Sequence, residues 1–373
     1  MSPKDLSTAG PNGTASRRRF LAGVGSVGLG VTVAGCSEGT DLGEDGGDDT
    51  DDGGDGGGGG DNMDGADPVN LDFATFNEGT AWFVMGSAIA DNMEERLPSG
   101  SAINVLPFAG TYGNIDLLKQ DEADLAFGTE VVNKWARQGR FEFEDQEPFD
   151  DLRAIAGHLD VNWIPTAIRE DIAEEEDIET YADIRENEAE LSLGIGPGGS
   201  ISHIAAEHLY GAHGFSVSEA QDWGMEVREF SLPDMPSAIA GSEIDGLTYV
   251  SSPGHPIWTE IASENDMRFL PVENFEYLSE RDWSEVDPLP EGMFGAAMDR
   301  PMMGFRSLVM TTPDLPDSIA RAVTATLVED RQRLVDAYAS MEAFDPELGV
   351  QEEWIGAPIH EGAKAYFEAE GIL

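Results

Sequence analysis

Three stretches of this sequence place Gly, Ser and Thr where a strand hands over to a helix: Thr75 to Trp82, Phe108 to Asn114, and Gly196 to Ser202. At such a junction the first backbone N–H groups have no partner inside the helix, and the helix dipole puts partial positive charge at the same end. That arrangement suits a carboxylate or phosphate, at about 0.3–1 kcal/mol per favourable charge placement. Thr75, Thr80, Thr111, Ser200 and Ser202 add hydroxyl donors, and Asn114 closes the second turn. Gly79, Gly110 and Gly199 leave amides open, with Pro197 and Gly198 shaping the last turn. Trp82 and Phe83 could cover the apolar part of a ligand, although aromatic residues at a helix start more often serve the core. Thr129 and Glu130 follow another strand, and Glu130 could accept from a ligand amino group. Ser251 and Ser252 occupy a similar strand end.

Other chemistries find less support. Gly196 to Ser200 lacks the Gly-x-Gly-x-x-Gly spacing of a dinucleotide loop and the Lys of a phosphate loop. His203, His208 and His213 fall every five residues, a net rotation of about 140° per step, so they share no helix face for a metal. No Gly-x-Ser-x-Gly elbow or His-Glu-x-x-His helix occurs. Carboxylates are so abundant that pairing among them carries no information. Arg153 and Arg306 are the candidates for an anion clamp, and both read better as ion-pair partners. No catalytic residue, metal or cofactor is expected. A secreted enzyme and a sensory lipoprotein are the competing readings.

The elements that must position these residues alternate. Val69 to Thr75 reads as a strand, Trp82 to Leu97 as a helix, Ala102 to Pro107 as a strand, Asn114 to Gln120 as a helix, and Ala123 to Gly128 as a buried strand. Leu191 to Ile195 and Leu247 to Val250 repeat the strand pattern, and Ser318 to Met341 is helical. The order predicts α/β architecture, a mostly parallel sheet with helices on both faces. Apolar strand-like runs at Trp163 to Ile168 and Phe305 to Met310 mark crossings between two lobes. The chain pattern places lobe one at 68–157 plus 308–373, and lobe two at 158–307.

The 373 residues carry 21 basic and 73 acidic side chains, a net charge of −52, which excludes nucleic acid as a partner. The acidity runs along the whole chain, and only Lys4, Lys119, Lys134 and Lys364 are lysines. Concentrated salt screens such self-repulsion, with a Debye length of about 3 Å at 1 M. The composition therefore reads as that of a halophile, such as a haloarchaeon.

Ser16 to Leu21 (Ser-Arg-Arg-Arg-Phe-Leu) resembles a twin-arginine export signal. The glycine-rich run from Leu21 to Val33 is shorter than the roughly 20 apolar residues of a membrane span. Val33 to Cys36 resembles a lipobox, which makes Cys36, the only cysteine, a lipid anchor at the end of a 1–36 signal peptide. Residues 37–67 hold 12 acidic residues and 12 glycines, and cannot bury enough apolar surface to fold. They read as a disordered acidic tether.

Taken in order, the turns resemble the TAXI class of TRAP-transporter solute receptors. Phe108 to Asn114, followed by Asp121 to Phe127, resembles that family's Thr-Gly-Gly-Ser-x-x-Asn…Gly-Glu-Ala-Asp-Leu-Ala-Phe block. Thr75 to Gly86, Leu193 to Ser202, Glu243 to Gly246 and Pro358 to Tyr366 resemble further family segments in sequence order. Phe76, Asn77, Ala109 and Thr129-Glu130 depart from the family pattern. The resemblance implies a two-lobed periplasmic-binding-protein-like clamshell of type II. It implies a small organic acid or amino acid, glutamate-like, held between the lobes. It further implies delivery to a TRAP permease driven by an ion gradient.

Overall fold

The computed structural model describes Met63 and residues 66–108, 110–289, 294 and 301–373. The twin-arginine segment, Cys36 and nearly all of the acidic tether lie outside the described residues. Among the described residues, twelve strands form two sheets. They are β1 (Asn70–Ala74), β2 (Ala102–Leu106), β3 (Leu125–Thr129), β4 (Arg153–Ala156), β5 (Val161–Trp163), β6 (Thr166–Arg169), β7 (Ser192–Ile195), β8 (Glu226–Glu229), β9 (Gly246–Thr248), β10 (Met267–Phe269), β11 (Ser284–Val286) and β12 (Met302–Thr311).

In the first sheet β1 lies between β2 and β3, parallel to both. In the second β7 lies between β8 and β9, again parallel. Five of these six strands, all but β8, have apolar runs that stand out in the sequence. Antiparallel strands complete each sheet, giving two mixed sheets flanked by helices. In the first, β12 runs against β3, β4, β5 and β11. In the second, β6 runs against β9, and β10 against β6.

The chain leaves the first sheet after Trp163 and joins the second at Thr166. All ten residues of β12 are buried. Its carboxyl half lies between β3 and β4, and its amino half between β5 and β11. Such a strand must be continuously apolar or small, as Met302-Met303-Gly304-Phe305 and Leu308-Val309-Met310 are.

Helix lengths follow the sequence with modest corrections. The first helix spans Ala81–Met93, and a short 3-10 turn, Glu94–Arg96, continues it. The second spans Thr111–Lys119 and so begins three residues earlier than its apolar pattern suggests. The long carboxyl-terminal helical stretch breaks at Asp330 into Asp317–Glu329 and Arg331–Ala337.

An aromatic cluster ties the lobes together away from these turns. The Trp135 ring packs edge-on against Trp283 and His208 at 5.6 and 5.4 Å, and its Nε1 donates to Arg281 O at 3.0 Å. Trp283 Nε1 donates to His208 Nδ1 at 2.9 Å. Burial, with Arg281 nearby, pushes the His208 pKa down to about 4, so the ring is a neutral acceptor.

Gly304 occupies the tightest point of the crossing strand. A Cβ there would lie 2.2 Å from Asn162 O and 2.6 Å from Val286 Cγ2. Backbone cannot yield as a flexible side chain can, so Gly304→Ala is expected to destabilise the fold by about 2 kcal/mol or more. Urea unfolding in concentrated KCl measures this as a lowered midpoint. An unchanged midpoint would contradict the close approach.

Candidate ligand-binding site

The carboxyl ends of strands from both sheets meet at a cavity of about 310 Å³. The end of β1 supplies Phe76 to Trp82, and the end of β2 supplies Gly110 and Thr111. From the other lobe come Pro197, Ser200, Ile201 and Ser202 after β7, Ser231 to Pro233 after β8, and Tyr249 to Ser252 after β9. His255 and Ile257 complete that wall, while Asn162 of β5 and Phe305 of β12 face the cavity from the crossing strands.

Three helix starts reach this space. The Ala81–Met93 helix begins at Thr80, whose Oγ1 donates to Asn77 O at 2.7 Å and so caps none of the first-turn amides. The Thr111–Lys119 helix begins at Gly110, which has φ +87° and no side chain to cap with. A left-handed N-cap at that point favours glycine, and its bare backbone leaves the first-turn amides open. The Ile201–Ala212 helix differs, because Ser200 Oγ accepts from His203 N at 3.2 Å.

Thr111 is 1% exposed, and its Oγ1 has no hydrogen-bond partner in the protein. An unpaired buried hydroxyl costs roughly 1–3 kcal/mol, so the site holds a stored demand for a partner. His255 Nδ1 is likewise buried without a partner. Burial holds the His255 pKa below the usual histidine range and pushes that of Tyr249 up to about 12, so both are neutral at neutral pH. Among the described residues, no Arg or Lys lines the cavity.

Behind the wall lies a buried polar relay. Trp82 Nε1 donates to Ser307 Oγ at 2.8 Å, Asn162 Nδ2 donates to Asp160 Oδ1 at 2.8 Å, and Ser307 N donates to the same oxygen at 3.2 Å. The relay fixes Trp82 and Asn162, which both face the cavity. Asp160 is fully buried, its Oδ2 is unpaired, and burial pushes its pKa up against the pull of those hydrogen bonds. Ser252 Oγ pairs with Tyr338 OH at 2.7 Å, and Trp163 and Ser251 exchange backbone hydrogen bonds.

The residues singled out from the sequence divide. Gly79, Thr80, Trp82, Gly110, Thr111, Pro197, Ser200, Ser202, Ser251 and Ser252 come together on the cavity. The others are outside its lining. Thr75 Oγ1 donates to Leu106 O at 3.0 Å and ties β1 to the end of β2. Phe83 is half-buried on its helix. Asn114 Nδ2 donates to Phe127 O at 2.9 Å. Thr129 caps the Glu130–Gln138 helix by accepting from Val132 N.

Glu130 turns away from the cavity. It is fully buried, accepting from Arg306 N at 2.7 Å and Ser284 Oγ at 3.0 Å. Gly198 N donates to Glu229 Oε2 at 2.9 Å, and Gly199 sits in the turn beside it. Arg306 lies over the Trp354 ring at 4.0 Å and 3.8 Å from Glu130, while Arg153 donates to the carbonyls of Asp150 and Leu152. Arg153 is engaged within the protein, whereas Arg306, outside the cavity lining, keeps Nε and Nη1 buried without a hydrogen-bond partner. The three histidines of the Ile201–Ala212 helix and its cap have separate surroundings, and no group of His, Cys, Asp or Glu among the described residues could hold a metal.

Sequence reasoning missed Ser231 to Pro233, Tyr249, His255, Asn162 and Phe305. The strand-end rule would have found Ser231 to Pro233 had β8 been recognisable. That strand reads Glu-Val-Arg-Glu and sits at a sheet edge with its charges exposed.

The sequence pattern of the NMT1-like family matches residues 73–371. Among solved structures, MatC from Rhodopseudomonas palustris with bound malate is similar at 14% identity, with a TM-score of 0.50 over 74% of this chain and 89% of that one. A TctC solute binding protein from Polaromonas is similar at 16% identity, with a TM-score of 0.44 over 74% of this chain and 88% of that one. The periplasmic aliphatic sulphonate binding protein SsuA from Escherichia coli is similar at 12% identity, with a TM-score of 0.40 over 75% and 85%.

The raised Asp160 pKa has a testable sign. Between the unfolded value of about 3.9 and the raised native value, the folded protein binds more protons than the unfolded chain. The contribution of Asp160 to stability is therefore full below about pH 3.9 and falls as pH rises through the native pKa. Asp160→Asn keeps the oxygen acceptor and removes the charge. Relative to the unmodified protein its stability is expected to rise across that window and to stay higher at neutral pH. Urea unfolding at stepped pH and constant salt measures the difference. A flat difference would mean that Asp160 ionises in the fold as freely as in the open chain.

Proposed function

The chain belongs to the NMT1-like family, and from that premise we propose that it is the ligand-capturing receptor of a membrane importer for small organic acids. One observation carries this reading. Strand ends from two separate sheets meet at one cavity, and the amides and hydroxyls of three helix starts border it. An anion held there touches both lobes, and it stabilises their closed arrangement by the difference in its affinity for closed and open forms.

The finer features rest on the sequence. Residues 16–21 supply twin-arginine export, Cys36 a lipid anchor, and 37–67 a tether that holds the receptor off the outer face of the membrane. The proposed lobes are 68–157 with 308–373, and 158–307. The partner is a TRAP-type permease of the TAXI class, driven by an ion gradient, and the setting is a halophile. The sequence resemblance points to a small carboxylate or an amino acid such as glutamate as the ligand class. MatC, a protein of similar fold, holds malate, which is of the same chemical kind.

Native mass spectrometry of the protein purified in concentrated salt is expected to find a co-purified organic acid. Removing that acid and adding it back should contract the particle, read as a smaller radius of gyration in X-ray scattering. A protein that carries no acid, gains no compaction with any of a broad carboxylate panel, and turns over a hydrolase substrate would refute the receptor reading.

A further inference from the structure

The two walls of the cavity treat negative charge differently, and this narrows the ligand. On the wall built from the first sheet, the amides that open the Ala81–Met93 and Thr111–Lys119 helices have no side-chain cap, neither helix carries an acid in its first turn, and the buried Thr111 hydroxyl is unpaired. One carboxylate satisfies all three demands together.

On the opposite wall Ser200 and Ser252 are already engaged, while His255 Nδ1 is buried without a partner. Ser200 Oγ caps its own helix, and Ser252 is paired with Tyr338. The turn before the Ile201–Ala212 helix has an acid of its own, since Glu229 accepts from Gly198 N at 2.9 Å. His203 there stands 3.7 Å from both Glu229 and Glu207. Among the described residues of that wall no Arg or Lys offers a second ligand carboxylate a partner, and His255 is neutral. Glu78, at the exposed edge of the first wall, is the one acid among the described lining residues. The space between the walls is bounded by Trp82, Phe305, Tyr249, Leu232 and Ile257, which offer apolar surface to the body of a ligand.

We infer that the ligand is an amphipathic monocarboxylate, its single carboxylate on the Thr111 wall and an aromatic or branched apolar body against Trp82 and Phe305, rather than a dicarboxylate or glutamate. The inference rests on the receptor reading above and restricts its ligand class.

Calorimetric titration of the protein in concentrated KCl tests it with phenylacetate and isovalerate against malate, glutarate and glutamate, and with phenylacetamide as the uncharged control. The monocarboxylates are expected to bind at least about tenfold more tightly than the dicarboxylates, and phenylacetamide to bind about tenfold more weakly than phenylacetate. Thr111→Val should weaken phenylacetate by about tenfold without lowering the melting temperature of the ligand-free protein, and Thr111→Ser should restore binding. Tighter binding of malate, glutarate or glutamate would overturn the inference and leave the receptor reading intact. Equal binding of phenylacetate and its amide, or no effect of Thr111→Val, would overturn the assignment of the carboxylate to this wall. Failure of every carboxylate, these and a broader panel, would remove the receptor reading itself.

Discussion

Ten buried residues in one extended run, Met302–Thr311, set the frame for everything else in this protein. Their amides and carbonyls must all be paired, because none can reach water. The pairing is shared out along the strand, with β3 and β4 flanking one half and β5 and β11 the other. Gly304 lets β5 and β11 close in on the strand where a side chain would collide with Asn162. The side chains that flank this point are functional in position. Phe305 and Asn162 face the cavity, and Ser307 joins Trp82 to Asp160. A strand shared by four neighbours and a cavity wall are thus built from the same few residues.

The surface and the cavity obey opposite electrostatic rules. A chain with net charge −52 repels anions at long range, and concentrated salt reduces that repulsion to a few ångströms. At contact distance the outcome depends on local donors. The cavity supplies them as helix-end amides and hydroxyls, with no cation among its described lining residues. The arginines that might have served, Arg306 and Arg153, are held by Glu130, Trp354 and backbone carbonyls. A neutral donor set binds an anion without first having to be freed from the carboxylates that crowd the rest of the chain.

The sequence made the buried parallel strands legible, because β1, β2, β3, β7 and β9 are compact apolar runs ended by Gly, Ser or Thr. The helix starts after β1, β2 and β7 were legible for the same reason. Edge strands were not. β8 exposes Glu226 and Glu229, so it lacks the apolar signature, and the loop after it went unnoticed as a cavity wall. Side-chain direction was the second limit. Glu130 follows a strand end as the cavity residues do, but its carboxylate turns to the amide of Arg306, 176 residues along the chain. Asn114 and Thr75 were assigned to ligand and instead pair with backbone carbonyls of neighbouring strands. No local pattern encodes a partner that distant.

The contact between Tyr338 and Ser252 joins the end of the Arg331–Ala337 helix to the loop after β9. Two hydroxyls make a weak tie, since each can hand its hydrogen bond to water at little net cost, typically about 1 kcal/mol.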